Sequence, residues 1–123
     1  MVENGRVLLA QRKKDAQLAL KWEFPGGKIE PGETPEDCLA RELKEELNMD
    51  VAVLDLFTAV AHSYGTRNIL LLAYFCRRLG GVPMLRQCND FSWVEIADIM
   101  KYDLAEADLP IAIKLQGEKK NHA

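Results

Sequence analysis

The sequence is short of several things, and each shortage removes a class of function. No apolar run approaches the ~18 residues that a membrane-spanning helix needs. Positive charge is not in excess: 16 Lys and Arg stand against 19 Asp and Glu, for a formal net charge of −3. That balance argues against a nucleic-acid backbone as the partner. It still permits a small polyanionic substrate, because bound divalent cations invert the local field. Cysteine is scarce, and Cys38, Cys76 and Cys88 show no CxxC spacing. Neither a disulfide framework nor a zinc site is expected, and the thiols read as reduced in a cytoplasmic protein. Met1 opens no signal-peptide pattern, and no internal repeat or low-complexity tract is visible. What remains is ordinary for one globular domain spanning 1–123: 48% hydrophobic and 28% charged residues over 123 positions.

Against that plain background one stretch stands out, GGKIEPGETPEDCLARELKEELNM from Gly26 to Met49. Its spacing predicts a helix from Pro35 to Leu47. Thr34 is a good N-cap, Pro35 suits the first helical position, and Glu36 and Asp37 favour the positive end of the helix dipole. Asp37 also stands where a capping-box acid would reach back. Leu39, Leu43 and Leu47 recur at i, i+4, i+8 and make one apolar stripe. Asn48 tolerates the left-handed conformation that ends many helices.

Glu42, Glu45 and Glu46 lie at i, i+3, i+4 and so share a face away from the leucines. Like charges so placed cost roughly a few tenths of a kcal/mol on a bare helix, and a hard cation such as Mg²⁺ would reverse the repulsion. Arg41 is placed to hold either Glu45, one turn on, or Glu33 in the preceding loop. Three glutamates on one face are also what a solvated surface helix carries.

The whole string is more specific than its glutamates. Gly27, five residues, Glu33, seven residues, then Arg41-Glu42-Leu43-Lys44-Glu45-Glu46-Leu47-Asn48-Met49 resembles the Nudix box, G-x5-E-x7-R-E-U-x-E-E-x-G-U with U bulky and apolar. Chance agreement at its six fixed positions is on the order of one in ten million per start. Asn48 replaces the last glycine of the box, and the turn should survive the exchange. The flanking string WEFPGGKIEPGETPE is similar to that of the MutT-type oxidised-nucleotide pyrophosphatases and the CTP pyrophosphohydrolases.

This resemblance implies an α/β chain in the Nudix fold, a mixed β-sheet sandwiched between α-helices; alternating strand and helix signals agree with it. It implies divalent-metal-dependent hydrolysis of a nucleoside triphosphate, an oxidised one such as 8-oxo-dGTP or CTP, to monophosphate and pyrophosphate. Mg²⁺, or Mn²⁺ in its place, would be held by Gly26 through its carbonyl and by Glu42, Glu45 and Glu46. Asp90, near Trp93, is a candidate further ligand, set against an ordinary turn Asp. Glu42 is the simplest general base, and Glu33 and Arg41 would orient the set. On the substrate side stand Arg12, by its fork of donors, Phe24, which also reads as strand and core, and Asp108. Asp108 occupies the place of a base-reading polar residue; the plainer reading is an N-cap for the helix that follows. An Asp accepts hydrogen bonds from amino or imino groups where an Asn would also donate.

Two other functions are compatible: hydrolysis of another diphosphate, such as a nucleotide sugar or dinucleoside polyphosphate, and a non-catalytic nucleotide-binding module. The expected partner is a small nucleotide, with neither nucleic acid nor membrane, for a monomer or homodimer.

The rest of the chain reads as scaffold. Residues 6–12 form a strand after an Asn4-Gly5 turn, and Asn-Gly normally joins two strands although only three residues precede it. That implies a first strand cut short, or an open edge that a partner completes. Residues 13–21 form a polar loop. Two β-rich runs, 51–61 and 68–77, flank a loop at 62–66, and the lone His62 there is weak evidence for catalysis. Gly80-Gly81 marks a turn, Asp90 to Trp93 lead a short strand, 95–100 a short helix and 107–116 a final helix, with 117–123 as a frayed tail.

Overall fold

The layers are set by one strand. Val7, Leu8, Leu9 and Ala10 are all buried, and successive side chains on a strand face opposite ways. Val7 and Leu9 pack with Val94, Ile96, Ile99, Leu104, Ala112 and Leu115, whereas Leu8 packs with Leu43, Leu47, Met49 and Cys76. A strand buried on both faces needs cover on both, and a helix supplies part of it on each side.

The structure, a computed structural model, describes residues 1–121. Strand β1 is Val2–Glu3, β2 is Arg6–Gln11 and β3 is Trp22–Glu23; helix α1 is Pro35–Leu47. The long strands β4, Asp50–Tyr64, and β5, Arg67–Gly80, follow, then β6, Asp90–Glu95. Two 3-10 turns, Ile96–Lys101 and Glu106–Asp108, lead into helix α2, Leu109–Asn121. Along its whole length β2 pairs antiparallel with β6, so β1 and β3 share its other edge at opposite ends. An isolated parallel bridge joins Trp22 to Leu104 and makes the pairing mixed. β4 and β5 form a separate antiparallel ribbon with irregular register near Val53 to Thr58. Leu43 and Leu47 of α1 cover one side of β2, and Ala112 and Leu115 of α2 cover the other. This is the expected α/β arrangement of a mixed sheet between helices. No described helix is long and apolar enough to cross a membrane.

The ends of α1 form for the expected reasons. The Thr34 hydroxyl accepts from the Asp37 N–H at 3.1 Å. Asn48 is left-handed at φ 58°, and its N–H reaches back to the carbonyls of Leu43 and Lys44. Carbonyls left over at the helix end are taken up by the segment after β5: Met84 N–H donates to Leu47 O at 2.9 Å and Arg86 N–H to Glu46 O at 3.0 Å. Gly81, at φ +87°, passes so close to Asn48 that a Cβ there would strike the Asn48 carbonyl oxygen.

Three expectations shift. The loop at 62–66 shrinks to Gly65 and Thr66, because the ladder continues to the Tyr64–Arg67 pair. The short helix at 95–100 is a 3-10 turn. The final helix starts at Leu109 and runs past Gly117 to Asn121, so the frayed tail is not seen there; His122 and Ala123 lie outside the described residues.

Candidate active site

The glutamates of α1 are gathered by one arginine. Arg41 donates through Nε to Glu33 Oε2 at 2.6 Å and through Nη2 to Glu33 Oε1 at 3.0 Å, a two-pronged pairing. Its Nη1 donates to Glu42 Oε1 at 2.9 Å and to Glu45 Oε2 at 3.2 Å, and its Nη2 also to the Lys28 carbonyl at 3.1 Å. Arg41 thus holds both candidate partners, the loop acid and the next-turn acid, together with the loop that carries Gly26 and Gly27. The hydrogen bonds from Arg41 hold the Glu33 carboxyl well down, at about 2, and Glu33 in turn raises Arg41. Glu30 adds to the fold of this loop by donating its N–H to Glu33 Oε1 at 2.9 Å.

Glu46 meets that web through Glu42 rather than through Arg41. Burial, then the charges of Glu42 and Glu23 and a hydrogen bond with the Glu42 carboxyl, push it up to about 8; Arg12 opposes the rise. Glu23 is the functional candidate that sequence reading missed. It lies at the end of β3 and is also raised, first by burial and further by Glu42, against Arg12. Both its oxygens accept from Arg12 Nη1 at 3.3 Å, while Arg12 Nε donates to the Gln17 carbonyl at 2.6 Å. The available signal was period-two alternation: Trp22 packs against the core cluster, so Glu23 faces the other way.

Among the described residues no three His, Cys, Asp or Glu side chains form a ready metal cage. The carboxylates are taken up by Arg41 and by one another. The donor set nevertheless fits a hard divalent cation, which takes carboxylate and carbonyl oxygens. Glu42 lies against Gly27 so closely that a Cβ at Gly27 would push the Glu42 carboxyl out of its present place. The Glu42 charge raises both Glu46 and Glu23, which marks negative charge that Arg12 leaves incompletely matched.

Asp90 stands apart. It is exposed at the start of β6, and its Oδ1 accepts from the Phe91 N–H at 2.8 Å. It shares with Glu46 and Glu23 only the field that, after burial, raises the half-buried Cys88 thiol to about 11.

The substrate-side residues meet elsewhere, at a cavity of ≈ 900 Å³ between the β4–β5 ribbon and the rest of the chain. Arg12, Glu23, Phe24, Gly26, Gly27 and Asp108 line it, with apolar wall from Ile69, Leu71 and Phe75; Glu42, Glu45 and Glu46 are not in its lining, and the Glu42 carboxyl lies against Gly27. Phe24 does both things expected of it, packing against the core and facing the cavity. Asp108 is only 5% exposed, and its Oδ1 accepts from the Phe24 N–H at 3.1 Å instead of capping its own helix. Burial raises its carboxyl to about 7, opposed by the Phe24 N–H and Arg12 and assisted by Glu23. The structure therefore brings Glu33, Arg41, Glu42 and Glu45 into one web, Glu46 and Glu42 beside Glu23 and Arg12, and Phe24 with Asp108 at the cavity.

Comparison with known proteins agrees with this geometry. A profile of the NUDIX domain matches residues 1–115. The chain is 34% identical over 114 residues to an 8-oxo-dGTP diphosphatase of Escherichia coli (strain K12), covering 93% of this chain and 88% of the relative. It is 33% identical over 108 residues to a CTP pyrophosphohydrolase of the same organism, covering 88% of this chain and 80% of the relative. The crystal structure of a MutT NUDIX hydrolase from Burkholderia pseudomallei superposes with a TM-score of 0.81 at 27% identity, over 94% of this chain and 91% of that one.

Proposed function

The chain belongs to the Nudix family, and from that premise we propose that it hydrolyses a nucleoside triphosphate to the monophosphate and pyrophosphate with Mg²⁺, or Mn²⁺ in its place. The observation that carries this reading is the Arg41-centred carboxylate web, whose Glu42 carboxyl lies against Gly27 of the cavity wall. The Gly26 carbonyl, Glu42, Glu45 and Glu46 are the candidate metal ligands; Asp90 joins them only by turning from the Phe91 N–H. Held by these residues, a divalent cation would supply charge neutralisation of the diphosphate and a lowered pKa for the attacking water. Arg41 keeps Glu42 and Glu45 oriented, and Glu33 anchors Arg41 from the loop side. Glu42 accepts the proton of the water. Arg12, held between Glu23 and the 13–21 loop, turns its donors to the phosphates.

Also on the cavity wall, Phe24 supplies an apolar surface and Asp108 reads the base. A carboxyl near pH 7 and raised to about 7 both accepts and donates. It therefore suits bases with an amino or imino edge, which 8-oxo-guanine and cytosine both have. The names of the two Escherichia coli relatives support a triphosphate substrate of this kind.

A product-resolved hydrolysis screen with Mg²⁺ or Mn²⁺ tests the reading, using ordinary and oxidised nucleoside triphosphates, nucleotide sugars and dinucleoside polyphosphates, with Glu45→Gln as control. Monophosphate plus pyrophosphate, lost in the variant, is the expected result. Turnover of sugars or dinucleotides alone would overturn the substrate, and no turnover of any compound would overturn the activity.

A further inference from the structure

One wall of the cavity is the β4–β5 ribbon, which forms its own two-stranded sheet. At its tip one side chain crosses to the base end of the cavity. The Tyr64 hydroxyl accepts a hydrogen bond from the Ala107 N–H at 2.9 Å. Ala107 precedes Asp108 in the 3-10 turn Glu106–Asp108, and both are buried.

The neighbouring amides show why this contact matters. Leu104 N–H donates to Tyr102 O at 3.0 Å, Ala105 N–H to Trp22 O at 2.9 Å and Asp108 N–H to Ala105 O at 3.0 Å. Those acceptors are backbone carbonyls. The acceptor for Ala107 is a side chain, as expected where the first amides of a helical turn lack partners within it. The turn is thus fixed to β3 by backbone and to the ribbon by the Tyr64 phenol, with a second contact through His62. The Tyr64 ring is itself held edge-on against His62, centroids 4.5 Å apart, and His62 Nε2 lies 3.3 Å from Glu106 Oε2 in the same turn.

We propose that Tyr64 is a positioning residue for substrate selection: its hydroxyl, through the Ala107 N–H, sets where the Asp108 carboxyl stands in the cavity. The proposal rests on the triphosphate reading above, since it concerns which base that site prefers. Tyr64 does not act on the phosphates, which lie at the Gly26–Gly27 end.

The test is Tyr64→Phe in the full chain, which removes the hydroxyl and keeps the ring. Three readouts are taken: amide hydrogen exchange at Ala107 and Asp108 by NMR, kcat and KM for two triphosphates differing only at the base edge, and the same kinetics with Asp108→Ala alone and combined. Exchange at Ala107 should rise about 5- to 30-fold, the scale of one lost hydrogen bond. The ratio of kcat/KM between the two nucleotides should fall by a similar factor, carried more by KM than by kcat. In the Asp108→Ala background Tyr64→Phe should leave that ratio unchanged. A general loss of fold would instead lower both nucleotides together and leave their ratio as it was, which overturns the proposal. Unchanged exchange at Ala107, or a ratio still altered by Tyr64→Phe without Asp108, also overturns it. A wild-type chain that turns over no triphosphate overturns the triphosphate reading itself, whatever the exchange shows.

Discussion

The two ends of the cavity are built differently. Beside Gly27, four glutamates and one arginine come from residues 33–46, and Arg41 alone donates to three of the glutamates. At the end proposed to take the base, one buried carboxyl, Asp108, meets one backbone amide, Phe24, across 84 positions of sequence. The first end is dense, charged and local. The second is sparse, dry and assembled from segments that only the fold brings together. A metal and a diphosphate need many oxygens and a fixed spacing, which a single helix with its preceding loop can carry. A base needs shape and one or two aimed polar groups, which any wall of the cavity can supply. On the proposed reading, reaction class and substrate preference should therefore be separable in this chain.

Breaking the dense end should have the largest effect. Glu45→Gln or Glu46→Gln should lower turnover by about 10²- to 10³-fold, the scale of losing one charge-stabilising group, with the fold kept as judged by circular dichroism. The next effect is on metal affinity. Glu46 must lose its proton to bind a cation, and its carboxyl is raised to about 8. Affinity should therefore rise by up to about tenfold per pH unit between pH 6 and 8 and flatten above, with proton uptake by buffer visible in titration calorimetry. Glu46→Gln should remove the slope.

At the sparse end, Asp108→Asn should change the preference between bases by about tenfold while leaving metal affinity as it was, measured as ratios of kcat/KM. The same substitution has a stability signature. The folded carboxyl is raised above its ordinary range to about 7, so the folded state binds the extra proton between about pH 4 and 7. Its contribution is full below pH 4 and lost as pH rises through 7. Thermal unfolding of the native chain should accordingly come at lower temperature as pH rises across that window, and Asp108→Asn should flatten the dependence. The smallest effect is expected at neither end: Asn48→Gly trades a left-handed Asn, and its Nδ2 hydrogen bond to the Val82 carbonyl at 3.3 Å, for a residue at ease in that conformation. Stability should move by about 1 kcal/mol or less, in chemical denaturation, with turnover unchanged.

The same division explains what could be read from the chain alone. Helix α1 was legible to the residue, because Thr34, Pro35, the leucine stripe and Asn48 are all local signals. Arg41 with Glu33 and Glu45 was legible as alternatives, and the structure makes both. Glu23 was not, because a two-residue strand gives alternation almost nothing to work on. The contact of Asp108 with Phe24 was not, because no local spacing relates residues so far apart. The true length of the β4–β5 ribbon was hidden by polar residues at its tip, where His62, Ser63 and Tyr64 read as loop but extend the ladder. Gly117 looked like a stop, and α2 passes through it.

The strap over the end of α1 has a mechanical consequence. Arg86 and Met84 hold the carbonyls of Glu46 and Leu47, and Gly81 is wedged against Asn48. A helix whose acids repel one another would ordinarily relieve itself by unwinding at its last turn. Here that turn is tied down from outside, so the electrostatic load stays on the side chains instead of leaking into the backbone. On the proposed reading a metal would meet a frame already tied down, so that binding would change charge and protonation more than it moves the chain. The strap continues from Arg86 toward Asp90 and β6, so an insertion between Gly81 and Asp90 would tug on the chemistry although it lies on the far side of the sequence from the box.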